Sequence, residues 1–227
     1  MMFDEKNKLF QDRKQAGIKL AERLKKYRSA ERLIVLALPR GGVPVAYEVA
    51  KSLSAPLDVF ITRKLRFPDN PELALGALAE NGEVFLNGDL IDYYSEEYLE
   101  KEKAYQKKEI KRRQILYRGG MELPSLTGKT VILIDDGVAT GATMIATLRA
   151  LKASQVKELI VAVPVAPYDI IEKLSDLADK LIIIYTPSPF IAVGVHYKDF
   201  RQVSDDEVKE YLERAKTMDE FHKEARA

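Results

Sequence analysis

The chain reads as an α/β protein built on a mainly parallel sheet of five strands flanked by helices. Two patterns predict this class. Short apolar runs rich in Val, Ile and Leu alternate with longer segments of helical periodicity, as in βα units joined by right-handed crossovers. Two of those runs, Arg32–Leu38 and Val131–Ile134, break into turns of small residues before a helix resumes, at Pro39-Arg40-Gly41-Gly42 and across Asp135–Thr143. Apolar strands without polar interruption belong in a sheet covered on both faces.

The elements follow in order. Phe3–Arg28 is predicted to be an amphipathic helix, with Phe10, Ile18, Leu20 and Leu24 among its apolar positions. Arg32–Leu38 is the first strand, and Val43–Leu53 a helix with Pro44 in its first turn, where the missing N–H costs nothing. Leu57–Thr62 is the second strand. Turn signals follow at Pro68-Asp69-Asn70-Pro71 and at Asn81-Gly82, and the latter can close a hairpin between Leu75–Ala79 and Glu83–Leu86. Glu96–Arg118 is charged and helix-prone. Thr130–Ile134, Glu158–Val163 and Lys180–Ile184 are the remaining strands, separated by helices near Thr143–Ala153 and Tyr168–Leu177. Asp205–Lys223 is the last helix, with Ser204 as its cap. The expected organisation is one domain over residues 1–227: a core at about 32–185, an insertion at about 65–120, and a small cover from about 1–30 and 186–227.

Composition excludes several classes of function. There is no Cys, which removes disulfides, thiolate nucleophiles and zinc sites built on Cys. Two His, at 196 and 222, are too few for a His-based metal cluster. A formal net charge of +1 gives the whole molecule no bias toward nucleic acid or membrane. The opening MMFDEKNKLF lacks the apolar core of a signal peptide and no stretch approaches spanning length, so a cytoplasmic location is expected. Gly128-Lys129-Thr130 is no P-loop, because Leu123 stands where that motif needs a Gly and the GKT precedes a strand.

Most of the functional signal lies in Val131–Thr143, VILIDDGVATGAT. A buried parallel strand runs into two carboxylates, Asp135 and Asp136, then into a turn of small residues that opens a helix. Ligands of open α/β sheets bind beyond such strand ends. Gly137 and Gly141 permit positive φ and close backbone approach. Amides of Ala139, Thr140, Gly141, Ala142 and Thr143 at a helix N-terminus favour an anion, and the Thr hydroxyls add donors. The carboxylates suit sugar hydroxyls or Mg²⁺. This segment resembles the phosphoribosyl pyrophosphate (PRPP) motif of type I phosphoribosyltransferases. The resemblance implies that fold, with Asp135 and Asp136 on the ribose hydroxyls (and near the metal, directly or through those hydroxyls and water) and Ala139–Thr143 around the 5-phosphate.

Other segments acquire roles from the same resemblance. Arg40, Gly41 and Gly42 match the family loop that binds pyrophosphate through its backbone and often carries a cis peptide. Arg63 and Lys64 fall at the root of a mobile lid and would clamp pyrophosphate, with Arg66 a weaker candidate. The lid itself would be Phe67–Asn87, where Glu72 and Glu80 are candidate proton acceptors. Ala139 replaces an Asp found in some purine-specific members and matches the adenine- and orotate-using subgroups better. A hood over the acceptor would include Thr186–Tyr197, with Phe190 stacking on a base, Val195 lending a backbone contact, and His196 and Tyr197 hydrogen-bonding it. The implied reaction transfers ribose 5-phosphate from PRPP to a nitrogenous base, with Mg²⁺ as cofactor and pyrophosphate released, in a chain that commonly pairs as a homodimer. The alternative is a non-catalytic regulator on the same fold that senses PRPP or nucleotides and binds RNA or DNA. The basic stretch Lys101–Arg118 would support that alternative, although such a stretch is more often a solvated helix face, so nucleic acid is not the expected partner.

Overall fold

The computed structural model describes residues 8–67, 74–86, 88 and 94–224. Along the chain run α1 (Arg13–Leu24), β1 (Leu33–Ala37), α2 (Gly42–Leu53), β2 (Leu57–Val59), β3 (Thr62–Arg66), β4 (Ala74–Ala79), β5 (Val84–Leu86) and α3 (Glu96–Arg118). There follow β6 (Thr130–Ile134), α4 (Ala142–Ala153), β7 (Glu158–Val165), α5 (Ile171–Ser175), β8 (Lys180–Tyr185) and α6 (Asp205–Glu224). The main sheet has the order β2-β1-β6-β7-β8 and every pairing in it is parallel. A second, antiparallel sheet has the order β3-β4-β5.

Strand alternation divides the core. Leu33, Val35 and Ala37 of β1 pack with Ile132 and Ile134 of β6 against Leu20, Leu24, Val49 and Leu53 of α1 and α2. Ile34 and Leu36 turn the other way with Val131 and Leu133, against Leu148 and Leu151 of α4. Each such Leu or Ile, taken fully from water, contributes about 1.5–3 kcal/mol.

Three expectations are corrected. The first helix starts at Arg13, not near Phe3, because Asp12 caps it: the Gln15 amide donates to Asp12 Oδ1 at 2.7 Å. Phe10 lies outside the helix and forms a parallel bridge with Tyr197, while residues 1–7 lie outside the described residues. The second strand ends at Val59, and the chain leaves the main sheet at Phe60–Ile61 to begin β3. Glu80 holds that corner, accepting from the Ile61 amide at 2.8 Å while its own amide donates to the Ile61 carbonyl. Tyr168–Leu177 divides into a 3-10 turn at Tyr168–Ile170 and the five-residue α5. The hairpin across Asn81-Gly82 forms, and Ser204 caps α6 in a reciprocal box with Glu207: each amide donates to the other's side chain.

Candidate active site

From β1 the sheet grows outward to β2, then resumes on the other side of β1 with β6. The strand order therefore reverses between β1 and β6, and the crevice at their carboxyl ends is where an open α/β sheet takes its ligand. The two loops that leave those ends are Pro39–Gly42 and Asp135–Thr143.

These loops touch. A Cβ on Gly41 would clash with Asp136 Oδ2 and lie 2.7 Å from Asp136 Cγ. One on Gly42 would meet the Ile134 carbonyl oxygen at 2.7 Å and Asp135 Cα at 2.9 Å. Gly41 has φ −61, so glycine is required there by proximity and not by backbone conformation. The Pro39–Arg40 peptide is cis, as the resemblance implied. The Gly42 amide is committed to the Leu38 carbonyl at 3.1 Å.

Asp136 is buried against this loop and Asp135 is half-buried beside it. The Asp136 amide donates to Asp135 Oδ1 at 2.8 Å. Burial, and then the neighbouring Asp136 carboxylate, push the Asp135 carboxyl well above the ordinary range. Asp136 is also raised by burial, but Arg13 opposes the shift, with its Nε donating to Asp136 Oδ2 at 2.7 Å. The Asp136 carbonyl accepts from the Tyr197 hydroxyl at 2.5 Å. Asp136 is thus tied by its side chain to α1 and by its main chain to Tyr197, and among the described residues Asp135 has no hydrogen bond to either.

Beyond the pair, Ala139, Thr140 and Ala142 are exposed, and Thr143 is half-buried. Gly141 caps α4 with φ 76 and its carbonyl accepts from the Ile145 amide at 2.8 Å. The preceding amides at the start of α4 have no earlier helical carbonyl to bond. Ile170 underlies the turn, since a Cβ on Gly141 would sit 2.5 Å from its Cδ1. Gly137 does not use positive φ, contrary to expectation. It is required by close packing on Val193 and Val165, whose Cγ1 atoms lie 2.5 and 2.9 Å from a built Cβ.

The basic pair after β2 is separated by strand alternation. Arg63 and Lys64 lie within β3, not at a loop root, and so point to opposite faces of the second sheet. Arg63 Nε donates to Gln106 Oε1 of α3 at 3.0 Å. Lys64 shares its face with Thr62, whose hydroxyl lies 2.8 Å from that of Thr147 in α4. Arg66 meets α3 through its backbone, with its amide on Glu102 and its carbonyl accepting from the Tyr98 hydroxyl. Glu72 lies outside the described residues. Glu80 is a structural group: its side chain is 2 % exposed and holds Ile61, Gln114 and Arg118.

The C-terminal segment also departs from expectation. Tyr197 is 1 % exposed and its hydroxyl is already engaged by Asp136, so it is withdrawn from any acceptor. Phe190 is half-buried, 5.2 Å from the His196 ring, and packs among Phe10, Val193 and Phe200. His196 is buried, and burial lowers its pKa. Val195 is half-buried and its amide donates to the Ala192 carbonyl.

Sequence reasoning missed Arg13, Ile170 and Asp205. None stands in a motif, and each acts through contacts more than twenty residues distant. The basic helix α3 is largely neutralised within the protein. Lys101, Lys103, Arg112, Arg113 and Arg118 each lie within ion-pair reach of a carboxylate. Among the described residues no three His, Asp or Glu side chains group as a metal site, and no helix is long and apolar enough to cross a membrane. Of the acidic pair, Asp136 is committed to Arg13, which leaves the Asp135 carboxylate as the one that would fit a Mg²⁺ ion completed by ligand oxygens and water.

With this geometry in view, comparison with known proteins is specific. The model of the phosphoribosyl transferase domain family matches residues 8–199. A provisionally designated phosphoribosyl transferase of Mycobacterium tuberculosis is 44 % identical over 213 residues, which cover 92 % of this chain and 47 % of that protein. The chain thus spans about half the length of the curated relatives it matches. The crystal structure of TT1426 from Thermus thermophilus superposes with a TM-score of 0.78 at 42 % identity, covering 89 % of this chain and 97 % of that one. The chain belongs to the phosphoribosyl transferase domain family, and its architecture is the type I fold of that family.

Proposed function

We propose that the protein transfers ribose 5-phosphate from PRPP to a nitrogenous base, releasing pyrophosphate. The observation that carries this reading is the contact of Gly41 with Asp136 at the sheet's switch point. It brings the Pro39–Gly42 loop against the acidic pair, which supports a site for a sugar bearing phosphate at both ends.

In this reading Asp135 accepts hydrogen bonds from the ribose hydroxyls and offsets the positive charge that develops on the sugar as its C1–O bond breaks. Asp136, held by Arg13 and Tyr197, keeps the backbone of the pair in place. The amides of Ala139–Thr143 and the Thr140 and Thr143 hydroxyls hold the 5-phosphate. Arg40, the Arg40 and Gly41 amides and Lys64 receive the departing pyrophosphate, while Arg63 adds charge from the far face of β3. Mg²⁺, carried by the diphosphate and by Asp135 directly or through ribose hydroxyls, would neutralise the leaving group. Ala139 leaves the acceptor side without the carboxylate of some purine-specific members, which favours adenine- or orotate-like acceptors over hypoxanthine or guanine.

The test is pyrophosphate release from PRPP and Mg²⁺ with a panel of nitrogenous bases. Base-dependent release supports the reading. Failure with every base, together with salt-sensitive RNA binding, would replace it by a regulatory role.

A further inference from the structure

One carboxylate at the edge of the site holds two cations of different origin. Asp205, the first residue of α6, places Oδ1 3.7 Å from Arg40 Nη1 of the Pro39–Gly42 loop and Oδ2 3.9 Å from Arg112 Nη2 of α3. Both distances exceed a hydrogen bond, so Asp205 attracts each arginine by charge alone, while Arg112 is anchored separately by Glu109. Asp205 also has supports that do not depend on either arginine. Tyr117 donates its hydroxyl to Oδ1 at 2.5 Å, and the amides of the first turn of α6 favour an anion there. If both arginines turned away, the carboxylate would not be stranded.

The surroundings carry surplus positive charge. Arg112 and Arg113 share one counter-ion, Glu109, to which Arg112 is bidentate at 2.9 Å and Arg113 adds a bond at 3.1 Å. Arg63 lies beside Arg113 on the adjoining strand, and burial together with that neighbour lowers its pKa. Among the described residues these four guanidiniums thus gather around Asp205 and Glu109, with Glu102 reached from Arg63 only through Gln106. The side chains of Arg40, Asp205 and Arg112 are 30, 29 and 53 % exposed, so an incoming anion can reach them.

We propose that Asp205 is a placeholder for a diphosphate, and that Arg112, supplied by the helical insertion, is a pyrophosphate-binding residue. The Asp205 carboxylate sits against Arg40 and Arg112 without hydrogen-bonding either. On binding, the diphosphate takes Arg40 and shares Arg112 with Glu109, and Asp205 remains with Tyr117 and the helix start. Asp205 thereby competes with the ligand and sets its affinity, and α3 belongs to the site and not to a solvated face. This rests on the reading of the Pro39–Gly42 loop as the pyrophosphate site.

The experiment is calorimetric titration of magnesium pyrophosphate, and separately of magnesium PRPP, into the wild-type protein, R112Q, R112K, D205N and the control K101Q at the other end of α3. A thermal melt of each variant verifies folding. R112Q should bind pyrophosphate about tenfold or more weakly, as expected for a lost charge-assisted contact, and R112K should recover part of the loss. D205N keeps an acceptor for Tyr117 and should bind pyrophosphate more tightly than wild type, with K101Q unchanged. Wild-type binding undiminished in R112Q, or weakened in a folded D205N, overturns the placeholder while leaving the proposed function standing. A wild-type protein that takes up neither pyrophosphate nor PRPP overturns both.

Discussion

Arg13 Nε lies 2.7 Å from Asp136 Oδ2, with the two side chains 11 and 12 % exposed. Arg13 also donates through Nη1 to the Arg201 carbonyl at 2.8 Å, and its guanidinium sits 3.9 Å over the Phe200 ring. One cation from the first helix thus offsets a carboxylate that the β6 turn has to bury, and it fixes the C-terminal segment to the same point.

Removing that cation should leave the carboxylate uncompensated. We expect R13A to lose about 3 kcal/mol of stability at pH 8, the usual cost of breaking a buried pair. The sign of its pH dependence follows from the proton affinity of Asp136. Its folded pKa is already raised above 3.8, and loss of Arg13 raises it further. A carboxyl so shifted is tolerated when protonated and becomes costly as pH rises through the folded value. Urea unfolding should show a larger gap between R13A and wild type at pH 8 than at pH 4.5. An equal gap at both would mean that packing on Phe200, not charge, is what Arg13 contributes.

Asp58 offers a second electrostatic test away from the site. Burial pushes its carboxyl from 3.8 up to about 6, against the opposing pull of Arg118. The folded value exceeds the unfolded one, so the associated stability is fully present below pH 3.8 and disappears as pH rises through about 6. Asn keeps the bond that Asp58 accepts from the Val59 amide at 2.7 Å. Between pH 4.5 and 7.5, wild type should therefore lose on the order of 2 kcal/mol more stability than D58N does. Parallel denaturation curves for the two proteins across that range would refute this.

Glu80 separates scaffold from chemistry. Its carboxylate joins the β2–β3 corner to Gln114 and Arg118 of α3 in a nearly dry setting. E80Q should lower stability by about 3 kcal/mol, since among the described residues it leaves Arg118 with Asp58 alone as counter-ion. At a temperature where the variant is folded, its kcat should match wild type. A kcat loss of more than about tenfold in folded E80Q would restore a proton-transfer role to this residue.

Gly41 tests the convergence of the two loops. G41A would drive a methyl group into the Asp136 carboxylate, a steric conflict with no backbone component. Overpacking of this kind typically costs about 1–3 kcal/mol, and one loop must move. We expect PRPP affinity to fall by at least about tenfold, with the melting temperature reduced. Unchanged affinity would show that the contact does not shape the ligand site.

Much of the architecture was legible because its signals are local. Strand β1, and strands β6, β7 and β8 beyond their first residues, are apolar runs, the Asn81-Gly82 hairpin has its turn residues, and Ser204 with Glu207 forms a capping box in four residues. The acidic pair and the Gly41–Gly42 loop were equally visible as motifs at strand ends. Features decided by tertiary contact were hidden. Leu57–Thr62 looks like one strand, yet Glu80 bends it at Ile61, and that bend determines which way Arg63 and Lys64 point. Asp12 overrides an apolar periodicity that continues N-terminal to it. Tyr197 seemed free for a ligand because nothing in its neighbourhood of sequence discloses a bond to residue 136.

The proposed transfer requires Asp135 to face the ribose beside the Ala139–Thr143 turn. Calorimetric titration of PRPP in the presence of Mg²⁺ into wild type and D135N addresses it directly. Uptake by wild type, weakened by about tenfold to a hundredfold in a D135N variant that melts as wild type does, is the expected result. Equal affinity in the two proteins, or no uptake by wild type, would contradict it.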